Sequence, residues 1–215
     1  MRIVSISDTH NCNGEISVPD GDLLIHSGDA TVQGTDREVR EFFDWFSNLP
    51  HPHKVFVAGN HDWLFQTDNE TGRSLAAAFK VAYLQDSVTV VNGFKIYGSP
   101  WQPRFYDWAF NLNRGREMAE KWAMIPEEID ILVTHGPPHG ILDLVETKSG
   151  DSHEGCEELR KKVESLAANG RLKLHLFGHI HGGHGIHEEF GMKFVNASVC
   201  DEEYRPVQPP IVIDL

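Results

Sequence analysis

Several short polar motifs in the sequence contain the residue types that bind catalytic metal ions. Their ligand-type residues are Asp8, Asp29, Asn60 and five histidines. In chain order the motifs are Asp8-Thr9-His10, Gly28-Asp29, Gly59-Asn60-His61-Asp62, Thr134-His135-Gly136 and Gly178-His179-Ile180-His181. Hydrolysis by a pair of metal ions needs ligands that hold the ions about 3.5–4 Å apart and leave room for water and substrate. These residues can build such a two-metal site once the chain folds.

The chemistry of this ligand set favours transition metals. A carboxylate can bridge two ions, while neutral imidazoles and an amide oxygen can fill the terminal positions. Nitrogen and oxygen ligands without a thiolate suit Mn, Fe, Zn or Co better than Mg or Ca, and Mn is the expected ion. If Asp8 and Asp29 are the only anionic ligands, two divalent ions leave the site at about +2. That charge suits a metal-bridging hydroxide as nucleophile and a phosphate ester as substrate.

Each motif lies at the end of a predicted β-strand, and this placement would bring the motifs together. Strands are predicted over residues 2–8, 22–27, 54–58, 129–134, 172–177, 193–199 and 211–215, with a hairpin over 88–98 around Asn92-Gly93. Helices are predicted over residues 36–49, 72–79, about 114–125 and 151–168, where apolar residues recur at helical spacing. In open α/β sheets the ligand site lies at the ends of the strands. Gly28, Gly59 and Gly178 precede ligand-type residues, where the strand must turn sharply.

Length and composition indicate one soluble α/β domain spanning residues 1–215. Hydrophobic residues make up 40% and charged residues 24% of the chain, which is ordinary for a globular protein. The start of the chain turns polar too soon for a signal peptide, and no apolar run reaches about 18 residues. The predicted location is therefore cytoplasmic.

The three cysteines, Cys12, Cys156 and Cys200, are far apart in the sequence and are predicted to be reduced thiols. Cys12 is near His10 in the sequence but is not predicted to bind a metal ion.

The net charge of −13 argues against a general nucleic-acid binder, which would need a basic face to replace condensed counterions. A small anionic substrate remains compatible with this charge, because bound cations act locally. We therefore expect a small phosphoester as partner, with no long nucleic acid and no membrane. The sequence leaves the oligomeric state open.

The motif set from residue 8 to residue 181 resembles the calcineurin-like metallophosphoesterase superfamily, with no motif missing. Gly98-Ser99-Pro100-Trp101-Gln102-Pro103, the run from Thr134 to Pro138, and Asn196-Ala197-Ser198 further resemble its metallophosphoesterase-domain-containing branch. The resemblance implies an α/β fold in which two mixed sheets flanked by helices form a four-layer αββα sandwich. Some members of this branch lack the first His of the Gly-His-x-His motif. His179 is present here, so the resemblance implies full activity.

The resemblance also implies residue roles. One metal would be held by Asp8, His10, His181 and a bridging Asp29. The other would be held by Asp29, Asn60, His135 and His179. His61 would not be a ligand; it would contact the phosphate, together with Asn60, and protonate the leaving alkoxide. Asp62 is either an anchor behind this site or a turn residue.

The predicted function is metal-dependent hydrolysis of small phosphodiesters, with 2′,3′-cyclic nucleotides as the substrate class that the branch resemblance suggests. A phosphomonoesterase acting on nucleotides or proteins is the alternative, because both reactions use the same metal core. A nuclease and a non-catalytic binding scaffold are further alternatives.

The aromatic loop from Trp101 to Phe110 is predicted to form core or lid contacts, with a base-stacking platform as the second interpretation. His139 and His184 are predicted to line the pocket if any histidine outside the motifs does.

Overall fold

The computed structural model describes residues 1–147 and 150–215. The strands of the described residues are β1 (Arg2–Ile6), β2 (Leu23–His26), β3 (His53–Phe56), β4 (Ala82–Tyr83), β5 (Ser87–Val91), β6 (Phe94–Ser99), β7 (Gln102–Pro103), β8 (Asn111–Leu112), β9 (Ile131–Thr134), β10 (Leu144–Val145), β11 (Ser152–His153), β12 (Leu174–Phe177), β13 (Gly185–Glu189), β14 (Met192–Asn196) and β15 (Ile211–Asp214). The α-helices are α1 (Asp36–Asn48), α2 (Leu64–Thr67), α3 (Asn69–Ala78), α4 (Arg116–Trp122) and α5 (Glu157–Ala167), with short 3-10 helices at Asn13–Glu15 and His181–Gly183.

Two large mixed sheets organise these elements. The first has the strand order β15-β1-β2-β3-β4, in which β1 to β4 are parallel and β15 is antiparallel. The second has the order β13-β14-β12-β9-β6-β5, with parallel central strands and antiparallel strands at both edges. Short pairs β7·β8 and β10·β11 lie outside the two sheets.

The alternation of side chains along the strands produces four layers. Ile3 and Val55 of the first sheet share an apolar cluster with Ile131 and Leu176 of the second, so the inner faces of the two sheets pack together. Neighbouring residues on each strand point the other way. There the first sheet packs against α1 and α3, and the second packs against α4 and α5. The predicted four-layer αββα sandwich is therefore confirmed.

Helix α1 shows how local sequence supports this packing. Thr35 caps the helix by accepting a hydrogen bond from the Glu38 amide, and the Glu38 carboxylate accepts one from the Thr35 amide in return. This capping box satisfies backbone donors at the helix start. Phe42, Phe43 and Phe46 are buried on the inward face, as the helical spacing predicts.

Several predicted boundaries differ from the structure. The helix predicted over 151–168 begins only at Glu157, because Cys156 is its N-cap and β11 occupies the preceding residues. The helix predicted over 72–79 begins at Asn69, where the Asp68 carboxylate accepts a hydrogen bond from the Thr71 amide. Helix α2 and the edge strand β13 were not predicted. None of the described helices is long and apolar enough to cross a membrane.

The motif residues follow the carboxyl ends of five strands. Asp8, Asp29 and Asn60 follow β1, β2 and β3 of the first sheet, whereas His135 and His179 follow β9 and β12 of the second. The two sheets are joined there by a parallel bridge between Ser7 and Ser198. The candidate site therefore lies where the ends of two sheets meet, rather than along the edge of one.

Candidate metal centre

The loop after β1 places Asp8 and His10 by leaving the extended conformation. Asp8 has φ 54° and His10 has φ 41°, a left-handed region that non-glycine residues adopt rarely. Amide hydrogen bonds hold this backbone in place, from Asp8 to Gly28 O at 2.8 Å and from His10 to Asp29 O at 3.1 Å. The backbone from Asp8 to His10 is therefore turned rather than extended, because hydrogen bonds cross-link the loops after β1 and β2 in this form.

Glycine is required where the loops approach most closely. Gly28 has φ 112°, and a Cβ atom there would collide with the His135 ring and come within 2.9 Å of the Gly59 backbone. At Gly178 a Cβ would collide with the side chains of Ser7 and Asp8. A side chain at either position would therefore displace candidate ligands.

A first group of candidate ligands contains Asp8, His10 and His181. Their ligand atoms all lie within 4.8 Å of one another. The Nε2 atoms of His10 and His181 are 3.3 Å apart, and His181 Nε2 is 3.4 Å from Asp8 Oδ1. Two imidazole nitrogens and a carboxylate oxygen thus converge on one point, which fits a cation.

A second group contains Asp29, His135 and His179, with ligand atoms that again lie within 4.8 Å of one another. His135 Nε2 lies 3.3 Å from Asp29 Oδ2 and 2.9 Å from Asn60 Oδ1. Asn60 therefore joins the second group, as its proposed role requires. The donors are two imidazoles, a carboxylate and an amide oxygen.

A third group contains His10, Asp29 and His61, so it shares His10 with the first group and Asp29 with the second. His10 Nε2 lies 3.9 Å from Asp29 Oδ2. The Asp29 carboxylate thus lies between His10, which belongs to the first group, and His135, which belongs to the second. This position between the groups is the one that a bridging carboxylate needs.

The imidazoles next to the carboxylates are oriented from behind by main-chain oxygens. His135 Nδ1 lies 2.9 Å from Ser27 O, and His181 Nδ1 lies 2.8 Å from Asp201 O. Since a carbonyl oxygen can only accept, each Nδ1 carries the proton and leaves Nε2 to face the candidate ligands. Such outer contacts orient metal-binding histidines and raise their basicity.

Two imidazoles are paired with carboxylates, His135 with Asp29 and His181 with Asp8. Burial alone would lower the pKa of His135, but Asp29 outweighs it and raises this pKa to about 9. Burial also opposes the charge on His181, and the hydrogen bond to Asp8 nevertheless raises its pKa to about 9. By contrast, burial lowers the pKa of His10 to about 4 and that of His179 to about 3. Each candidate site therefore combines a carboxylate, a protonated imidazole and a neutral one.

Asp62 proves to be an anchor behind the site. Its Oδ1 accepts from the Thr31 amide at 3.1 Å and the Thr31 hydroxyl at 2.7 Å, and its Oδ2 accepts from the Gly59 amide at 2.8 Å. These bonds tie the loop after β2 to the loop after β3. Burial, together with the nearby Asp29, raises the pKa of Asp62 to about 6.

Comparison with known proteins agrees with this geometry. The family profile described as calcineurin-like phosphoesterase matches residues 1–183. Metallophosphoesterase domain-containing protein 1 of Homo sapiens and its counterpart in Mus musculus are each 44% identical to the chain, covering 100% of this chain and 71% of their own length. The chain belongs to the calcineurin-like phosphoesterase family. Its resemblance to the metallophosphoesterase-domain-containing branch is confirmed as well.

A solved structure supports the fold of this phosphoesterase. The crystal structure of the protein TT1561 of Thermus thermophilus superposes with a TM-score of 0.59 at 15% identity, covering 91% of this chain and 88% of that chain. At this identity the likeness concerns the fold alone. The family is metal-dependent, and within residues 1–147 and 150–215 the three groups above are the candidate metal ligands.

The candidate centre opens into a cavity of about 510 Å³. His10, Asp29, Asn60, His61, His179 and His181 form part of its lining. Phe105 and Tyr106 of the aromatic loop also line it and are 48% and 75% exposed. Other residues of this loop belong to the core instead. The indole N–H of Trp101 donates to Asp86 Oδ2 at 2.9 Å, and the Trp101 side chain packs against the apolar cluster of the first sheet.

Among the described residues, neither His139 nor His184 lines this cavity, and Cys12 is in none of the three ligand groups. Sequence reasoning missed three residues of the phosphoesterase site. Ser198 donates to Asp8, Tyr204 packs edge-on against His10 with ring centroids 4.8 Å apart, and Trp108 stacks on His61. Asn196-Ala197-Ser198 is a signal for the first residue, and the aromatic loop from Trp101 to Phe110 is a signal for the third, whereas Tyr204 lies in a loop without a chemical motif.

Proposed function

We propose that this phosphoesterase hydrolyses small phosphodiesters with two divalent metal ions, Mn being the expected ion and 2′,3′-cyclic nucleotides the expected substrate class. The observation that carries the proposal is the position of Asp29, whose Oδ2 lies 3.9 Å from His10 Nε2 of the first group and 3.3 Å from His135 Nε2 of the second. A shared carboxylate is what a pair of adjacent ions requires.

The residues divide between two sites. Asp8, His10 and His181 would hold one ion, and Asn60, His135 and His179 the other, with Asp29 shared between them. When bound, the two ions supply Lewis-acid activation of water and neutralise charge on the phosphoryl oxygens. The buried aspartates Asp8 and Asp29 keep the surrounding histidines in place for this purpose.

His61 is assigned to proton donation. Its Nδ1 lies 2.8 Å from Val32 O, so Nδ1 carries a proton and Nε2 is the nitrogen available to the cavity. This carbonyl is the hydrogen-bonding partner that the role requires. The imidazolium form of His61, with a second proton on Nε2, would donate that proton to the departing alkoxide and become the neutral ring. Such proton donation stabilises the developing charge and is typically worth about 10²–10⁴-fold in rate.

The walls of the cavity favour a substrate with one phosphate. Glu146, Glu154 and Glu202 line the cavity, and their charge would repel further phosphates of a polymer. The two arginines of the lining are already engaged, Arg104 with Asp107 at 3.1 Å and Arg114 with Glu157. A long nucleic acid would therefore find few free cationic partners.

The aromatic residues of the lining suit an organic group beside that phosphate. Phe105 and Tyr106 pack edge-to-face at 4.7 Å, and Tyr204 is 52% exposed. Exposed rings give planar groups such as nucleobases a surface to stack on. This arrangement supports a nucleotide-like phosphodiester.

The test is a substrate panel with the purified protein, loaded with Mn, Fe, Zn, Co or Mg in separate samples. We expect turnover of 2′,3′-cyclic nucleotides and other small diesters to exceed turnover of the matching monoesters. Faster hydrolysis of monoesters would assign a phosphomonoesterase instead. Tight, steeply salt-dependent binding of long single strands, with no turnover of small diesters, would assign a nuclease.

A further inference from the structure

Trp108 covers one face of the His61 ring. The ring centroids are 4.1 Å apart and the planes meet at 30°, so the indole stacks on the imidazole rather than touching its edge. Trp108 is not among the residues that line the cavity within the described chain. It therefore contacts the proposed proton donor without itself lining the cavity.

The segment that carries Trp108 is tied directly to the His61 loop. The Ala109 amide donates to Asn60 O at 3.1 Å, and the Phe110 amide donates to Gln66 Oε1. Ala109 and Phe110 are fully buried in the apolar cluster beneath the first sheet. The backbone that follows Trp108 is consequently anchored both to Asn60, the residue before His61, and to the core.

The other contacts of the His61 ring are made away from the face that the indole covers. Val32 O accepts from Nδ1, and the His10 ring meets the His61 ring edge-on at 4.8 Å. The backbone is held too, since the His61 amide donates to Asp29 Oδ1 at 2.8 Å. Removing the indole would open space beside the ring, into which the imidazole could rotate and turn Nε2 away from the cavity.

We infer that Trp108 is a positioning residue, whose stacked indole holds His61 in the orientation that directs Nε2 toward the substrate. The inference rests on the proposed function, because Trp108 acts only through proton donation by His61. A stacked aromatic pair adds enough stabilisation to favour one ring orientation by up to about tenfold. The role therefore predicts a partial effect on one chemical step.

The experiment compares Trp108→Ala with Trp108→Phe across diesters of graded leaving groups, with metal content and thermal midpoint measured for each variant. We expect Trp108→Ala to lower kcat about tenfold for poor alkoxide leaving groups, with nitrophenolate esters little affected and KM little changed. Trp108→Phe keeps an aromatic face and should retain most of the rate. Trp45→Ala is the matched control, since Trp45 is also partly buried but packs on Phe42 and Phe46 of α1.

An equal loss across the leaving-group series, or no loss, would overturn the inference. If Trp108→Ala does not fold, Trp108→Phe and Trp108→Leu are compared instead. Identical rates of these two variants across the leaving-group series would overturn the role of the aromatic face. His61→Ala, measured in parallel, separates the two proposals. If His61→Ala shows the leaving-group dependence and Trp108→Ala does not, the positioning role fails while the proposed function stands. If His61→Ala shows none, the proton-donor assignment itself fails.

Discussion

Ser198 Oγ donates a hydrogen bond to Asp8 Oδ2 at 2.7 Å, although 190 positions separate the two residues in the chain. The same carboxylate accepts from the His179 amide at 3.0 Å. Asp8 follows a strand of the first sheet, whereas Ser198 and His179 follow strands of the second. The orientation of this candidate ligand thus depends on how the two sheets dock.

Ser198→Ala tests this dependence. The variant removes one of the hydrogen bonds that orient Asp8 and leaves the one from the His179 amide. We therefore expect metal affinity to fall by roughly 10–100-fold, as for other contacts behind a ligand. Metal retention during titration with a chelator is the measurement. Ser47→Ala is the control, since Ser47 donates only to a helix carbonyl on the surface. Equal retention in the two variants would contradict the role of Ser198.

Asp29→Ala tests the shared ligand. Because Asp29 faces both groups, the variant should lose or disorder both ions and abolish turnover. Metal stoichiometry by elemental analysis, together with the thermal midpoint, checks the result. Asp44→Ala, on the exposed side of α1, should bind metal like the unmodified protein. Two ions per chain and a normal rate in Asp29→Ala would show that Asp29 is not the bridge.

The choice of metal follows from the donor set. With four histidines and one asparagine among the proposed ligands and no thiolate, activity should be higher with Mn or another transition ion than with Mg or Ca. Metal-stripped protein reconstituted with each ion provides the comparison. Comparable turnover in Mg alone would count against this ligand set.

His61→Ala tests the assignment of proton donation. The variant should keep both ions, yet lose about 10²–10⁴-fold in rate toward substrates with poor alkoxide leaving groups. Substrates that release nitrophenolate should suffer less, because their leaving group needs less protonation. Metal content and rates across the series are the measurements. Since His61 also lies in the third group of candidate ligands, loss of an ion in this variant would make it a ligand.

Metal uptake should release protons at neutral pH. The pKa values of His135 and His181 are raised to about 9 in the metal-free protein, so both rings are protonated at pH 7. A ligand nitrogen must be neutral, so protons compete with the metal below about pH 9 and affinity should rise with pH up to that range. Calorimetric titration in two buffers of different ionisation enthalpy measures the release. At pH 9.5 the release should shrink, and identical heats in both buffers at pH 7 would refute the prediction.

The turn at Asn60 and His61 shows where local reasoning stopped. In an extended segment, the side chains of two consecutive residues point in opposite directions. The structure forms a turn there, yet the side chains still separate, Asn60 toward His135 and His61 toward Val32. They separate because each side chain hydrogen-bonds to a residue on a different loop. The spacing of residues along the chain does not encode such contacts between loops.

The sequence alone determined the main elements and the residue types of the candidate site. Apolar periodicity indicated the main strands and α1, because burial of one face leaves a pattern in the chain, and the polar motifs identified the residues that gather at the strand ends. Only the tertiary structure decided which residues orient them. Ser198, Trp108 and the carbonyl of Val32 act through single contacts with residues far away in the chain. Such contacts arise from the docking of two sheets and their loops, and they leave no periodicity or spacing from which they could be predicted.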